Sequence, residues 1–290
     1  VTELNQKAGD GTTNFQARKL SIKNSNFGVT AEEARNIATD VFKANMIDLS
    51  EKAADLARAR AERLIDNFIA ELQKRNPAGM KKMINPDMQF ALFEAQKEYS
   101  RTGDKDLESM LVNILVDRTR EDGFTFTQIV LDESLKILPK LTQQQIDILS
   151  IIFLCRRVGF NYDNANKDFT KDIFNTYLEY LTPFKQVDIS ENSFSFEHLI
   201  YTGTASKSTL QISFEECLKQ GYPNIFSDFE LNQITEMINN FNPDLKALKN
   251  IWNSTDIKRM EITSVGAAIA HANFKKTGKL VNANLRIWIR

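Results

Sequence analysis

Histidine, cysteine and proline are scarce in this sequence, and net charge and long apolar runs are missing from it. The 290 residues hold only two histidines. His198 and His271 lie far apart and outside any recognised motif, so histidine-based acid–base or nucleophilic catalysis has little to build on. Both positions suit packing better, His198 beside Phe196 and Leu199 and His271 between alanines on a helix. Two cysteines are too few for a disulfide framework. Cys155, in an apolar helix, and Cys217, on an amphipathic one, read as reduced thiols of a cytoplasmic protein. Cys-x-x-Cys, His-Glu-x-x-His and EF-hand patterns are all missing, and no metal site is expected. No cofactor is expected either: Gly9-Asp10-Gly11 lacks the lysine and helix of a phosphate loop, and residues 202–208 have the wrong glycine spacing. The longest apolar run, residues 148–155 with Ser150 inside it, falls far short of the ~20 residues a membrane helix needs. Residues 1–10 are polar and acidic without the apolar centre of a signal peptide. The net charge of -1 carries no overall nucleic-acid signature.

What is present points to helices. With 42% apolar and 26% charged residues the chain has the composition of a globular protein, not a disordered one. Residues 50–75 form the organising stretch. Ala53, Ala57, Ala61, Leu64, Phe68 and Leu72 recur at three- and four-residue spacing, which makes one apolar stripe on a helix roughly 39 Å long. A rod of that length needs a partner along it. Before it, Thr30 and Glu33 form a capping box that opens a helix to about Asn45, with Ile37, Val41 and Phe42 on its apolar face. Asn76 and Pro77 end the long helix. Residues 86–159 read as an all-helical block, with helices predicted over 87–100, 106–119, 127–138 and 143–158. The last is capped by Thr142 and is the most hydrophobic, so it is expected at the centre. After an Asn-rich connector, a helix is predicted over 169–181.

Both ends differ from this middle. Residues 1–29 alternate polar and apolar side chains around turn glycines, as a short β-hairpin would. A lone hairpin is marginal in water, so Asn14, Phe15, Gln16, Leu20 and Ile22, with Ala53, Ala57, Leu64 and Phe68 of the long helix, are the expected contacts of a homo-oligomer. Toward the C-terminus, strands over 209–213, 256–263 and 285–289 are predicted around helices over 214–220, 228–240 and 243–253 and a small-residue helix after Gly266. That order fits a winged-helix-like α+β module. No acidic residue follows Glu261, and Lys275, Lys276, Lys279 and Arg286 are candidates to lie along phosphates, with Trp288 to stack on a base. Helix-end charge compensation and a solvated edge explain the same residues more plainly.

Several of these segments together resemble an uncharacterised bacterial family. The likeness is carried by Gln6, Gly9, Asp10, Thr13, Asn14, Gln16 and Ala17 in the head and by Phe42 and Asn45. It continues through Leu115-Val116-Asp117-Arg118 and Leu141-Thr142-Gln143 to Ile262, Thr263, Gly266, Ile269, Ala272, Asn273 and Ile287-Trp288-Ile289. Related heads look like an accessory module on phage-defence proteins, and the remainder resembles abortive-infection-type helical proteins. The resemblance implies a defence association and supplies no catalytic residue.

The resulting expectation is a mainly α protein with four parts: a β-hairpin head (1–29), a helical oligomerisation segment (30–76), a helical core (77–182) and a winged-helix-like module (183–290). Its expected role is that of a non-enzymatic, cytoplasmic, homo-oligomeric scaffold or sensor in antiviral defence. Its partners would be copies of itself and a protein or phage component, without membrane insertion. Two other readings stay open, a winged-helix-like nucleic-acid binder and a toxin or hydrolase whose site is assembled from distant residues.

Overall fold

Capping chemistry sets where most helices start. In the computed structural model, which describes residues 29–44, 50–160, 169–184 and 193–289, the backbone N–H of Thr30 donates to Glu33 at 2.8 Å and that of Glu33 donates to the Thr30 hydroxyl at 3.1 Å. This capping box opens α1 (Ala31–Ala44), whose buried face is Ala34, Ala38 and Phe42. Helix α2 (Glu51–Arg75) follows the predicted rod closely, although the Ser50 side chain makes no cap bond. Pro77 then starts a 3-10 helix, Pro77–Ile84, where only a break was expected. Its missing N–H costs nothing at a first helical position.

Helix α3 (Pro86–Thr102) is capped by Asn85 and stopped by Gly103 at φ 66°, and α4 (Lys105–Arg118) is capped by Asp104. Thr125 caps α5 (Phe126–Ile137), and a second full capping box, Thr142 with Gln145, opens α6 (Gln143–Arg157). Residues 148–155 of α6 are all buried, so it occupies the centre that its hydrophobicity predicts. Helix α7 (Phe169–Leu181) has the predicted bounds.

The C-terminal third contains α8 (Ser193–Tyr201), β1 (Ala205–Lys207), α9 (Phe214–Gly221), α10 (Pro223–Phe226), α11 (Leu231–Phe241), α12 (Pro243–Ser254), β2 (Met260–Ile262) and α13 (Ser264–Lys276). The two strands pair antiparallel, Ala205 opposite Ile262 and Lys207 opposite Met260. They correct two strand predictions. The first strand lies before residues 209–213, and only the last part of 256–263 is extended, because residues Asp256–Arg259 form a 3-10 turn. The third predicted strand is also replaced: Leu285–Ile287 is a 3-10 helix. Trp288 packs edge-on to Phe153 with ring centroids 5.0 Å apart and donates its indole N–H to the Arg157 carbonyl at 2.9 Å. An indole held that way is half-buried against the core with its N–H already used, so it is not free to swing out for base stacking.

Packing places α13 where sequence order does not. Residues 266–275 of α13 are buried, and its main neighbours are α4, α5 and α6. The boundary expected at residue 182 therefore does not separate α13 from the helical core. Both cysteines are free and buried. Burial pushes the Cys155 thiol well up and that of Cys217 up to about 12, so both stay protonated and behave as packing groups. No helix among the described residues is long and apolar enough to cross a membrane. The hairpin predicted over 1–29, with Asn14, Phe15, Gln16, Leu20 and Ile22, lies outside the described residues.

Candidate functional site

The same helical spacing that buries one face of α2 leaves a polar face, and α4 and α13 close against it. Arg63, Asn67, Glu71, Lys74 and Arg75 of α2, Lys105, Glu108, Ser109 and Asn113 of α4, and Lys275 and Lys276 of α13 line a groove of about 500 Å³. Ala70, Val112, Gly278 and Val281 supply its apolar patches. Six cationic side chains face two carboxylates there, which leaves an excess of four positive charges on the lining.

Behind this lining sits a buried charge cluster centred on Asp117. Lys275 Nζ donates to both carboxylate oxygens, at 2.7 and 2.9 Å. Arg75 Nη2 stands 3.6 Å from Asp117 Oδ1, beyond hydrogen-bond length, and Arg120 and His271 each approach at 3.7 Å. Arg75 is anchored by Nη1, which donates to Asn113 Oδ1 at 2.6 Å, while its Nη2 has no hydrogen-bond partner among the described residues although the side chain is only 9% exposed. At the other end of the groove Glu108 accepts from Arg63, from Asn67 and from the Tyr99 hydroxyl. Lys276 reaches Gln143 at 3.2 Å and Asp106 at 3.4 Å. The Lys105 ammonium, at the first turn of α4, has no acceptor among the described residues.

Burial dominates the electrostatics. Lys275 is held below the usual lysine range, first by desolvation and against the pull of Asp117. His271 is driven down from 6.5 to about 3, by burial and then by the Lys275 charge, with Asp117 opposing. The imidazole is neutral in the fold at neutral pH, while in the unfolded chain it takes up a proton near 6.5. Between those values the unfolded state binds more protons, so stability falls as pH drops through this window. Acid titration of unfolding free energy should show a descending limb from about pH 6.5 toward 3. His271→Gln should flatten it, and an unchanged limb would remove His271 as its source.

The residues expected from sequence are distributed differently. Ala53 is exposed, but Ala57 is buried and Leu64 and Phe68 are fully enclosed. Helices α1, α3 and α4 of the same chain cover the stripe of α2. Leu64 and Phe68 therefore have no surface left for a second copy, so the chain covers the later part of this rod by itself, while Ala53 and Leu56 at its start stay exposed. The four basic candidates do not form an open row either. Lys275 is buried on Asp117, Lys276 reaches Asp106, Lys279 pairs with Glu179 and lies over the Tyr180 ring, and Arg286 makes two 2.9 Å bonds to Glu121. Lys275 and Lys276 belong to the groove; Lys279 and Arg286 do not.

Sequence reasoning missed Arg75, Glu108, Asn113 and Asp117 as site residues. For the α4 residues the available signal was Asn113 and Asp117 set into the apolar run of residues 110–116: an ionisable group at the edge of such a run needs a buried partner. Among the described residues, no group of three or more His, Cys, Asp or Glu side chains could hold a metal ion.

Comparison with known proteins adds a family and no activity. The chain belongs to the family whose model, described as “:-like”, matches residues 28–234 and 227–289. No curated protein and no solved structure matches it.

Proposed function

We propose that this protein is a non-catalytic scaffold that senses a small anionic ligand in the groove between α2, α4 and α13. The observation that carries the reading is the excess of positive charge in a concave site where α2 and α13 both pack on α4, with one buried guanidinium N–H unsatisfied. Such a site is partly pre-organised for an anion, because Arg75, Arg63 and Lys275 are already held by Asn113, Glu108 and Asp117. Helix α13 links the groove to α5 and α6, so occupancy would be felt in the centre of the fold.

The cytoplasmic location, self-association and role in antiviral defence in this proposal rest on the resemblance of the head and of the helical segments to defence-associated proteins. The partners it implies are further copies of the chain and a protein or phage component. A winged-helix-like nucleic-acid binder is the second reading. The two-stranded ribbon leading into α13 favours it, but the pairing of Lys275, Lys276, Lys279 and Arg286 with carboxylates leaves it the weaker of the two.

Thermal melting at constant ionic strength in chloride, sulfate, phosphate and citrate tests the anion reading. At least one multivalent anion should raise the melting temperature relative to chloride, and Arg75→Gln should abolish the increment. Melting that is the same in every salt would overturn it.

A further inference from the structure

We infer that the ligand of this groove is an organic phosphate of about nucleotide size, whose phosphate takes the Arg75 guanidinium from Asp117. The inference rests on the anion-sensing reading and specifies its ligand. Three observations carry it.

First, the Arg75–Asp117 contact is poor. At 3.6 Å it is too long for a hydrogen bond, whereas Lys275 satisfies Asp117 twice at 2.7 and 2.9 Å. Nη2 is enclosed on the Asp117 side, so binding swings the guanidinium toward the groove; there a phosphate oxygen gives it a charge-assisted hydrogen bond, and Asp117 keeps its stronger partner. Second, the groove has room and unspent charge. Its volume of about 500 Å³ falls in the range of small-molecule sites. Lys74, three-quarters exposed and only 3.8 Å from Glu71, and Lys105 at the start of α4 are both available to a second or third phosphate oxygen. Third, the lining is not uniformly charged. Ala70, Val112 and Val281 offer apolar contact, and the Asn67 and Ser109 side chains offer polar edges, which an inorganic anion would leave unused. An organic portion attached to the phosphate uses both.

Isothermal titration calorimetry on the full chain, with adenosine monophosphate, adenosine, inorganic phosphate and citrate as probes, tests this. Adenosine monophosphate should bind and inorganic phosphate should bind more weakly, while adenosine should give no heat. Arg75→Gln should abolish the binding. Because that buried position also supports the fold, Lys105→Glu provides the second arm. Lys105 is exposed, so its circular dichroism and melting should be unchanged while affinity for adenosine monophosphate falls about tenfold or more, as expected for loss of a charged contact. Adenosine binding as tightly as its monophosphate, or affinity unmoved by Lys105→Glu, would overturn the phosphate assignment. Citrate binding with no response to adenosine monophosphate would overturn the assignment and leave the anion-sensing reading standing. No heat with any anion would remove both.

Discussion

Asp117→Asn should lower the unfolding free energy by about 3–5 kcal/mol, the typical result of removing one partner from a buried ion pair. The Lys275 side chain is 1% exposed and the Arg75 side chain 9%, so both cations stay largely out of water when the carboxylate is lost. An asparagine carbonyl accepts one bond from the lysine but carries no charge, so both cations stay desolvated without compensation. The remedy that physics suggests is to remove the lysine as well. Asp117→Leu with Lys275→Met should recover most of the loss, since replacing a buried pair by apolar groups is often near neutral. Urea denaturation of the single and double variants measures both terms. A cost under about 1 kcal/mol for the single substitution would mean that water reaches the cluster and that exposed-pair energetics apply.

The second large effect is expected at Gly266. In most helices glycine to alanine stabilises by about 0.5–1 kcal/mol. Here the sign should reverse. A Cβ on Gly266 would stand 2.0 Å from the Thr204 carbonyl oxygen and 2.8 Å from Ile262 Cγ1. That carbonyl cannot retreat cheaply, because it also accepts from the Thr263 N–H and the Thr263 hydroxyl, both at 3.1 Å. Either α13 moves off the turn at 203–204 or the β1–β2 ribbon loses its register. Gly266→Ala should therefore cost about 3 kcal/mol, the upper end for overpacking a tight contact. Gly221→Ala, where nothing lies within 4 Å of the new methyl, is the control and should be neutral or slightly stabilising. Equal effects at the two positions would show that the α13 contact is looser than its geometry indicates.

Helices were legible in the sequence wherever local chemistry defines them. The Thr30–Glu33 and Thr142–Gln145 boxes, Asp104, and the Pro77 and Gly103 stops lie within a few residues of what they cap, so periodicity and end signals give α1 to α7 nearly residue by residue. The three-residue strands were not legible in place. A two-residue period over so short a span is indistinguishable from chance alternation, and a strand's position is fixed by its partner: Ala205 is extended because Ile262 lies opposite. The alternation at 285–289 failed for the same reason. Its apolar residues had no strand to pair with, and Trp288 found the Phe153 ring instead.

The groove was illegible for a different cause. Arg75, Asn113, Asp117 and Lys275 come from three helices and span 200 positions of the chain, and each alone resembles an ordinary surface polar residue. Their meaning depends on which helix faces meet. The C-terminal cations illustrate it: a basic run in one dimension becomes four ion pairs with different carboxylates once α13 is threaded between α4 and α6.

By itself the sequence determined that the chain is mainly helical, where its principal helices begin and end, and that α6 belongs at the centre, because backbone propensity, caps and apolar periodicity act between near neighbours. Only the tertiary structure decided that the stripe of α2 from Ala57 onward is covered by its own chain, that α13 sits among the core helices, and that the lysines and arginines face each other across a groove. Burial and charge pairing depend on distance in space, and no local pattern encodes which surfaces the chain brings together.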